Sequence, residues 1–154
     1  MNEPMKTIAL LAVCLLTCKT VSLYAQPKAG DFHGAEATKP RYKVVYQLNT
    51  DDDSKIKGTL KNIQNAINDP RLAGKLEVEL VVHGSGAAVY QKDKGYEEQV
   101  QALQKKGVIL AMCENTMRER KINRDDLFSF ISYVPSGNGE LIIRQQEGWS
   151  YMHP

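Results

Sequence analysis

The sequence has only three cysteines among its 154 residues, and none of them belongs to a C-x-x-C pair. Two of them, Cys14 and Cys18, lie in an N-terminal apolar run, so Cys113 is the single cysteine of the remaining chain. One thiol cannot form an internal disulfide, which excludes a disulfide-stapled fold. The three histidines have no ligand-type spacing with one another or with Cys113, so no metal site is predicted. No cofactor is predicted either.

The chain also lacks a strong excess of charge. Its 20 basic and 18 acidic residues give a formal net charge of +2, which offers no electrostatic reason to expect nucleic acid as a partner. A transmembrane helix needs about 20 apolar residues. The apolar run Thr7–Cys18, which follows Lys6, is shorter than that and has the length of a signal-peptide core.

These features predict three segments. Residues 1–25 are expected to be a signal peptide cleaved after Ala25, residues 26–40 a flexible leader, and residues 41–154 one folded domain. The mature protein would then be exported, periplasmic in a Gram-negative host, and free of the membrane. A membrane-anchored N-terminus is the alternative.

From Tyr42 onwards, strand and helix patterns alternate about five times. Such alternation predicts an α/β fold with a mostly parallel five-stranded sheet and helices on both faces. The predicted strands are residues 42–48, 76–83, 108–113, 130–134 and a short terminal strand that contains Trp149 and Tyr151. The predicted helices follow the first and second strands, and a last helix covers residues 140–147.

Right-handed crossovers bring the carboxyl ends of parallel strands to one edge of the sheet, where ligands of open α/β sheets bind. We therefore expect the functional residues at that edge. The candidates are Cys113 and His83 for catalysis, and Asn49, Gly84, Ser85, Asn115, Thr116 and Ser136 for ligand binding.

Cys113 has two interpretations. Thr116 and Glu119 form a T-x-x-E pattern, which predicts a capping box and a helix start just after the thiol. Backbone N–H groups and the helix dipole at that point would stabilise a reactive thiolate. Alternatively, Cys113 completes the apolar run that precedes it as a small buried residue.

The residues around Cys113 also leave alternatives open. His83 could accept the thiol proton, or its ring could bind a loop backbone group. Asn115 suits either a helix cap or a hydrogen bond to substrate. Ser85 lies between Gly84 and Gly86, but the neighbouring residues complete neither a phosphate-binding G-x-G-x-x-G loop nor a G-x-S-x-G nucleophile elbow. A tight turn is the preferred interpretation of those glycines.

Several blocks along the chain, in this order, carry a resemblance to a known family. They are Val44–Leu48, Glu77–Gly84, Gly107–Val108, Cys113–Met117, Val134–Gly137 and most of Glu140–Pro154. From about Tyr42 to Pro154 the sequence resembles the DsrE/DsrF-like proteins, which include YchN and the TusBCD sulfur-relay subunits. It looks most like their exported, stand-alone branch.

The resemblance implies a three-layer α/β/α domain and a homo-oligomer, either a trimer or a hexamer. In the sulfur-relay members a cysteine carries sulfane sulfur as a persulfide. Cys113 occupies the matching position, with His83 as a neighbour. The predicted function is an exported carrier of sulfur on Cys113, with a sulfur donor or thiol acceptor as partner, rather than a turnover enzyme. The alternative is a non-catalytic ligand-binding or oligomeric interaction module in which Cys113 is structural.

Overall fold

The computed structural model describes residues 30–154 of the chain. The predicted signal peptide and residues 26–29 of the predicted leader lie outside the described residues. Residues 30–35 belong to a separate unit and contain no helix or strand. Glu36–Pro154 form one compact unit, and the fold described below is that of this unit.

A five-stranded sheet forms the centre of this unit. Its strands are β1 (Tyr42–Leu48), β2 (Leu76–Val82), β3 (Ile109–Cys113), β4 (Ser132–Val134) and β5 (Ser150–Met152). Their spatial order is β4-β3-β2-β1-β5, and every neighbouring pair is parallel. The predicted α/β fold is thus confirmed, and its sheet is wholly rather than mostly parallel.

Four α-helices and three short 3-10 helices connect the strands. The α-helices are α1 (Asp53–Asn68), α2 (Glu97–Lys105), α3 (Glu114–Arg120) and α4 (Gly137–Gln146). The 3-10 helices are Gly84–Tyr90, Lys92–Lys94 and Arg124–Asp126. The aspartates before α1 act as a solvated helix start, since Asp52 Oδ1 accepts a hydrogen bond from Lys55 N at 2.8 Å.

The strands carry apolar side chains on both faces, as a sheet covered on both sides requires. Val44, Tyr46 and Leu48 of β1 join the larger core, which also includes residues of α1 and α2. Val45, which points to the opposite face, joins a smaller core together with Val81, Ala111, Leu141 and Trp149. Helix α4 packs on this second face, against β1, β2 and β3. These three layers match the predicted α/β/α architecture.

Several predicted boundaries shift. β2 ends at Val82, one residue before His83, and β3 begins at Ile109. The fourth strand begins at Ser132 because Phe130 lies in a turn, where its ring stacks on Phe128 at 5.3 Å between centroids. Aromatic packing, not strand pairing, therefore accounts for this part of the apolar pattern. The last helix begins at Gly137, three residues before the predicted start.

Two further predictions need correction. The T-x-x-E pattern at Thr116 and Glu119 is not a capping box, because α3 already begins at Glu114 with Cys113 as its N-cap residue. In addition, Gly84–Tyr90 forms a 3-10 helix where the sequence predicts only a tight turn. This helix is short and lacks the 3.6-residue period that makes an α-helix recognisable in sequence.

Candidate functional site

The topology opens a crevice between β3 and β4. β1, β2 and β3 follow one another in a single direction across the sheet, so right-handed crossovers place their helices on the face of the larger core. The chain reverses after β4, and α4 packs on the opposite face. The loops that leave β3 and β4 therefore diverge, and such a switch point is where open α/β sheets bind ligands. Cys113 pairs with Val134 at this point.

A cavity of about 180 Å³ lies at the switch point. Six of the eight candidate residues line it, namely His83, Gly84, Cys113, Asn115, Thr116 and Ser136. Its other lining residues are Glu119, Gly137 and Asn138, which were not among the eight candidates. Gly137 could have been found in the sequence because it directly follows Ser136, a residue type that caps helices. The backbone N–H of such a residue lies at the start of the helix.

The other two candidates lie to one side of this cavity. Ser85 lines a neighbouring cavity of about 380 Å³, and its Oγ donates a hydrogen bond to the Asn49 carbonyl oxygen at 3.1 Å. The Asn49 side chain contacts His153, with 3.1 Å between Oδ1 and Nε2. Asn49 and Ser85 therefore connect β1 to the start of the 3-10 helix Gly84–Tyr90, rather than lining the space around the thiol.

Hydrogen-bond donors surround the Cys113 sulfur. Burial raises the pKa of the thiol, but backbone N–H groups of Thr116, Gly137 and Asn115 and the Thr116 hydroxyl donate to the sulfur and outweigh that effect. The net pKa of Cys113 lies below its ordinary value. Gly137 begins α4, whose dipole also favours a negative charge at this end. The site therefore stabilises thiolate, the nucleophilic form of cysteine.

Thr116 links the thiol to the strand end next to it. Gly84 N donates to Thr116 Oγ1 at 2.9 Å, which leaves the hydroxyl proton free to be donated to the Cys113 sulfur. Gly84 adopts a φ of +56°, a left-handed conformation that glycine tolerates best. Thr116 thus contacts both Gly84 and the thiol, instead of forming the capping box that the sequence suggested.

The acidic and amide side chains that follow Cys113 are occupied elsewhere. Glu114 Oε1 forms an ion pair with Arg124 Nη2 at 2.7 Å, and Glu114 is not among the groups that shift the thiol pKa. The Asn115 side-chain oxygen accepts a hydrogen bond from Arg118. The contribution of Asn115 to the thiol is therefore its backbone N–H, and Glu114 does not oppose thiolate formation.

His83 lies next to Cys113 across the sheet. Val82 of β2 pairs with Met112 of β3. The residues that follow them, His83 and Cys113, are therefore neighbours on the α4 face of the sheet. Burial lowers the pKa of His83, and the nearby His153 lowers it further. In the described part of the chain, His83 is not among the groups that donate to the Cys113 sulfur. Its Nε2 instead lies 2.7 Å from Gln47 Nε2.

Residues 30–154 contain neither a metal-binding cluster nor a membrane-spanning helix. There, no group of three or more histidine, cysteine, aspartate or glutamate side chains is arranged to hold a metal ion. No helix in the same residues has the length and apolar character needed to cross a membrane.

Comparison with known proteins assigns the family. Residues 43–154, nearly the whole of the folded unit, match the DsrE/DsrF-like family. The chain belongs to this family. A protein of unknown function from Methanobacterium thermoautotrophicum, MTH1491, is 33% identical, with a TM-score of 0.69, over 73% of this chain and 99% of that chain. No curated protein matched this chain.

A second solved structure shares the fold. BT1422, a conserved protein of unknown function from Bacteroides thetaiotaomicron, superposes with a TM-score of 0.59 at 11% identity, over 79% of this chain and 100% of that chain. Membership of the DsrE/DsrF-like family suggests a role in sulfur relay, and members of this family often form oligomers and sulfur-relay complexes.

Gly137 provides a test of the donors around the thiol. A Cβ atom at Gly137 would lie 3.1 Å from His83 Cβ, so Gly137→Ala requires a shift of a few tenths of an ångström at the start of α4. Weakening one hydrogen bond to the sulfur by about 1 kcal/mol would lower the thiolate population about fivefold. We expect a higher pKa and slower alkylation of Cys113 near pH 7, measured as the pH dependence of its reaction with iodoacetamide.

Gly139→Ala is the matched control. It makes the same change two residues later in the same helix, where the nearest atom to the added Cβ, Ser136 Cβ, would be at 3.4 Å. This variant should keep the wild-type pH profile. Equal profiles for both variants would show that the α4 terminus does not stabilise the thiolate.

Proposed function

We propose that this protein is an exported sulfur carrier that holds sulfane sulfur as a persulfide on Cys113. The observation that carries the proposal is the set of donors at the thiol. Three backbone N–H groups and one hydroxyl converge on the Cys113 sulfur at the sheet switch point and lower its pKa. These donors would also stabilise a persulfide anion. The sulfur-relay association of the family supports the same chemistry.

The chemistry consists of two exchanges that balance. The Cys113 thiolate attacks the outer sulfur of thiosulfate, a new S–S bond forms, and the bond to the sulfonate sulfur breaks to release sulfite. The product is a Cys113 persulfide anion. A second thiolate, from the acceptor, then attacks the outer sulfur of this persulfide, takes it, and returns the Cys113 thiolate. The cavity of about 180 Å³ has room for a small donor of this kind.

Export is the second component of the proposal. It is supported by the apolar run Thr7–Cys18 after Lys6 and by the small residue Ala25. Sulfur carriage outside the cytoplasm separates this chain from tRNA thiolation, which is cytoplasmic. Its partners are then a sulfur donor and a thiol acceptor of the same compartment, the periplasm in a Gram-negative host. Nucleic acid is not among them.

Homo-oligomer formation is the third component. Ile142 and Ile143 of α4 are 61% and 53% exposed, and Tyr151 and Met152 of the edge strand β5 are also exposed. Apolar surface of this kind commonly marks contact sites between proteins. Together with the frequent oligomers of the family, it supports a trimer or a hexamer.

Mass spectrometry tests all three components on one sample. Full-length protein is expressed in a Gram-negative host, recovered from the periplasm and incubated with thiosulfate or polysulfide. We expect a mass without residues 1–25, a native mass of a trimer or hexamer, and the gain of one sulfur atom per chain. Cys113→Ser should abolish the gain, because a hydroxyl does not form a persulfide. No Cys113-dependent gain would refute sulfur carriage.

A non-catalytic binding module is the second candidate function. Its supporting observation is that Cys113 is only 4% exposed, as expected of a thiol that serves packing. This alternative predicts an unchanged mass after incubation with donor and slow alkylation of the native protein. Ligand binding in the cavity would then be the same in wild type and Cys113→Ser.

A further inference from the structure

A row of polar side chains crosses the sheet on the α4 face and ends at the thiol. Val45 of β1 pairs with Tyr151 of β5, and Gln47, two residues later, pairs with Val81 of β2. His83 and Cys113 follow on the same face, at the ends of β2 and β3. The row therefore runs from the edge strand β5 through β1 and β2 to Cys113.

Two hydrogen bonds join the first three members. The Tyr151 hydroxyl donates to Gln47 Oε1, and Gln47 Nε2 lies 2.7 Å from His83 Nε2. An amide nitrogen can donate a hydrogen bond but cannot accept one, so His83 Nε2 must be the acceptor. The proton of the neutral ring is then on Nδ1. The hydrogen bond to one ring nitrogen thereby determines the tautomer.

The surroundings favour the neutral ring. Burial lowers the pKa of His83, and His153, which follows β5, lowers it further. The titratable groups around His83 are His153, and Cys113 and Glu119, which line the same cavity. Tyr151 is linked to His83 only through Gln47. Gly137 of α4 packs closely against the His83 ring, since an added Cβ would lie only 3.3 Å from ring atoms Cγ and Cδ2, and this restricts the ring orientation.

We propose that Gln47 and Tyr151 are positioning residues that hold His83 in its neutral Nδ1–H form, in which the Gln47 amide occupies Nε2 and His83 is not the base for the thiol. This role rests on the proposed function, since the thiol that His83 does not deprotonate is the one proposed to carry sulfur. The proton of Cys113 is then transferred to water, and the hydrogen-bond donors at the sulfur stabilise the thiolate that remains.

Nitrogen-15 NMR of the histidine rings tests this inference without reference to sulfur transfer. In the wild-type protein the His83 signals should be those of the Nδ1–H tautomer. Gln47→Glu replaces the donor with a carboxylate, which can only accept, so the Nδ1–H population should fall from the major to the minor form and the pKa of His83 should rise. The pH profile of Cys113 alkylation should shift accordingly, because a histidinium would face the thiol.

Two further variants make the test specific. Asn49→Asp places a carboxylate at the same end of β1, but against His153, and should leave the His83 tautomer unchanged. Tyr151→Phe removes the anchor of the Gln47 amide at an exposed edge position and should give a mixture of tautomers. An Nε2–H tautomer in the wild type, or an unchanged ring in Gln47→Glu, would overturn the inference.

The outcomes for this inference and for the proposed function are separable. The expected tautomers with no sulfur gain would support the positioning role of Gln47 and refute sulfur carriage. A sulfur gain with His83 in the Nε2–H form would support sulfur carriage and refute the positioning role of Gln47. His83 would then be available as the base for the thiol.

Discussion

Replacement of Gly86 by alanine is expected to lower the free energy of unfolding by about 3 kcal/mol. A Cβ atom at Gly86 would lie 2.4 Å from the Leu48 carbonyl oxygen and 2.8 Å from the Leu48 carbonyl carbon. Both atoms belong to the backbone of a buried strand, so neither can move as a flexible side chain would. The 3-10 helix Gly84–Tyr90 must therefore move away from β1. Urea unfolding followed by circular dichroism measures the loss.

The same variant should also weaken the site. The displaced helix begins at Gly84, whose N–H donates to Thr116 Oγ1, and that hydroxyl donates to the Cys113 sulfur. We therefore expect slower alkylation of Cys113 in the folded Gly86→Ala protein.

Gly58→Ala is the control for this prediction. Gly58 lies inside α1, and nothing is within 4 Å of a Cβ at that position. Alanine is about 0.8 kcal/mol more favourable than glycine inside a helix, so this variant should be slightly more stable than the wild type. A Gly86→Ala protein as stable as the wild type would show that the 3-10 helix Gly84–Tyr90 can move away from β1 without loss of stability.

Removal of the Arg144 charge is expected to have the other large effect on stability. Glu79 of β2 is 1% exposed, and its Oε2 lies 2.5 Å from Arg144 Nε on α4. Arg144 also pairs with Glu140 at 2.9 Å, and its guanidinium lies over the Trp149 ring. Arg144→Met keeps most of the side-chain volume but leaves Glu79 buried without a counter-charge. Breaking such a pair costs about 3 kcal/mol or more near neutral pH.

The pH dependence of this effect has a definite sign. Burial raises the pKa of Glu79 above its ordinary value, although Arg144 acts to lower it. Between the unfolded and folded pKa values the native state holds the proton, so stability falls as the pH rises through this window. Arg144→Met should raise the pKa of Glu79 further. The loss of stability should therefore be smaller at pH 5 than at pH 8, as measured by urea unfolding at both values.

Arg41→Met is the matched control. It breaks another arginine–glutamate pair, between Arg41 Nη1 and Glu77 Oε1 at 2.7 Å, in which the side chains are 74% and 39% exposed. An exposed pair of this kind is worth less than about 1 kcal/mol. If the free energy of unfolding falls equally in the two arginine variants, burial of Glu79 does not increase the contribution of its pair with Arg144.

Local patterns predicted the regular elements well and the loops poorly. β1 covers Tyr42–Leu48, as predicted, because its β-branched and aromatic residues suit a strand between two layers. The T-x-x-E pattern failed because Cys113 already occupies the N-cap position of α3, and the Thr116 hydroxyl accepts a hydrogen bond from Gly84, 32 residues earlier in the chain. A pattern of four residues contains no information about a partner so distant in sequence.

The sequence by itself determined the alternation of strands and helices, the position of Cys113 at a strand end and the resemblance to the DsrE/DsrF-like family. These features follow from the periodic spacing of apolar residues and from short motifs, and both are patterns of residues that lie close together along the chain. Only the tertiary structure decided that β3 and β4 flank the switch point. The N–H of Gly137 at the Cys113 sulfur and the Tyr151–Gln47–His83 row likewise depend on the fold. Gln47 and Tyr151 are 104 residues apart, and the order of the strands, rather than any local preference, brings them together.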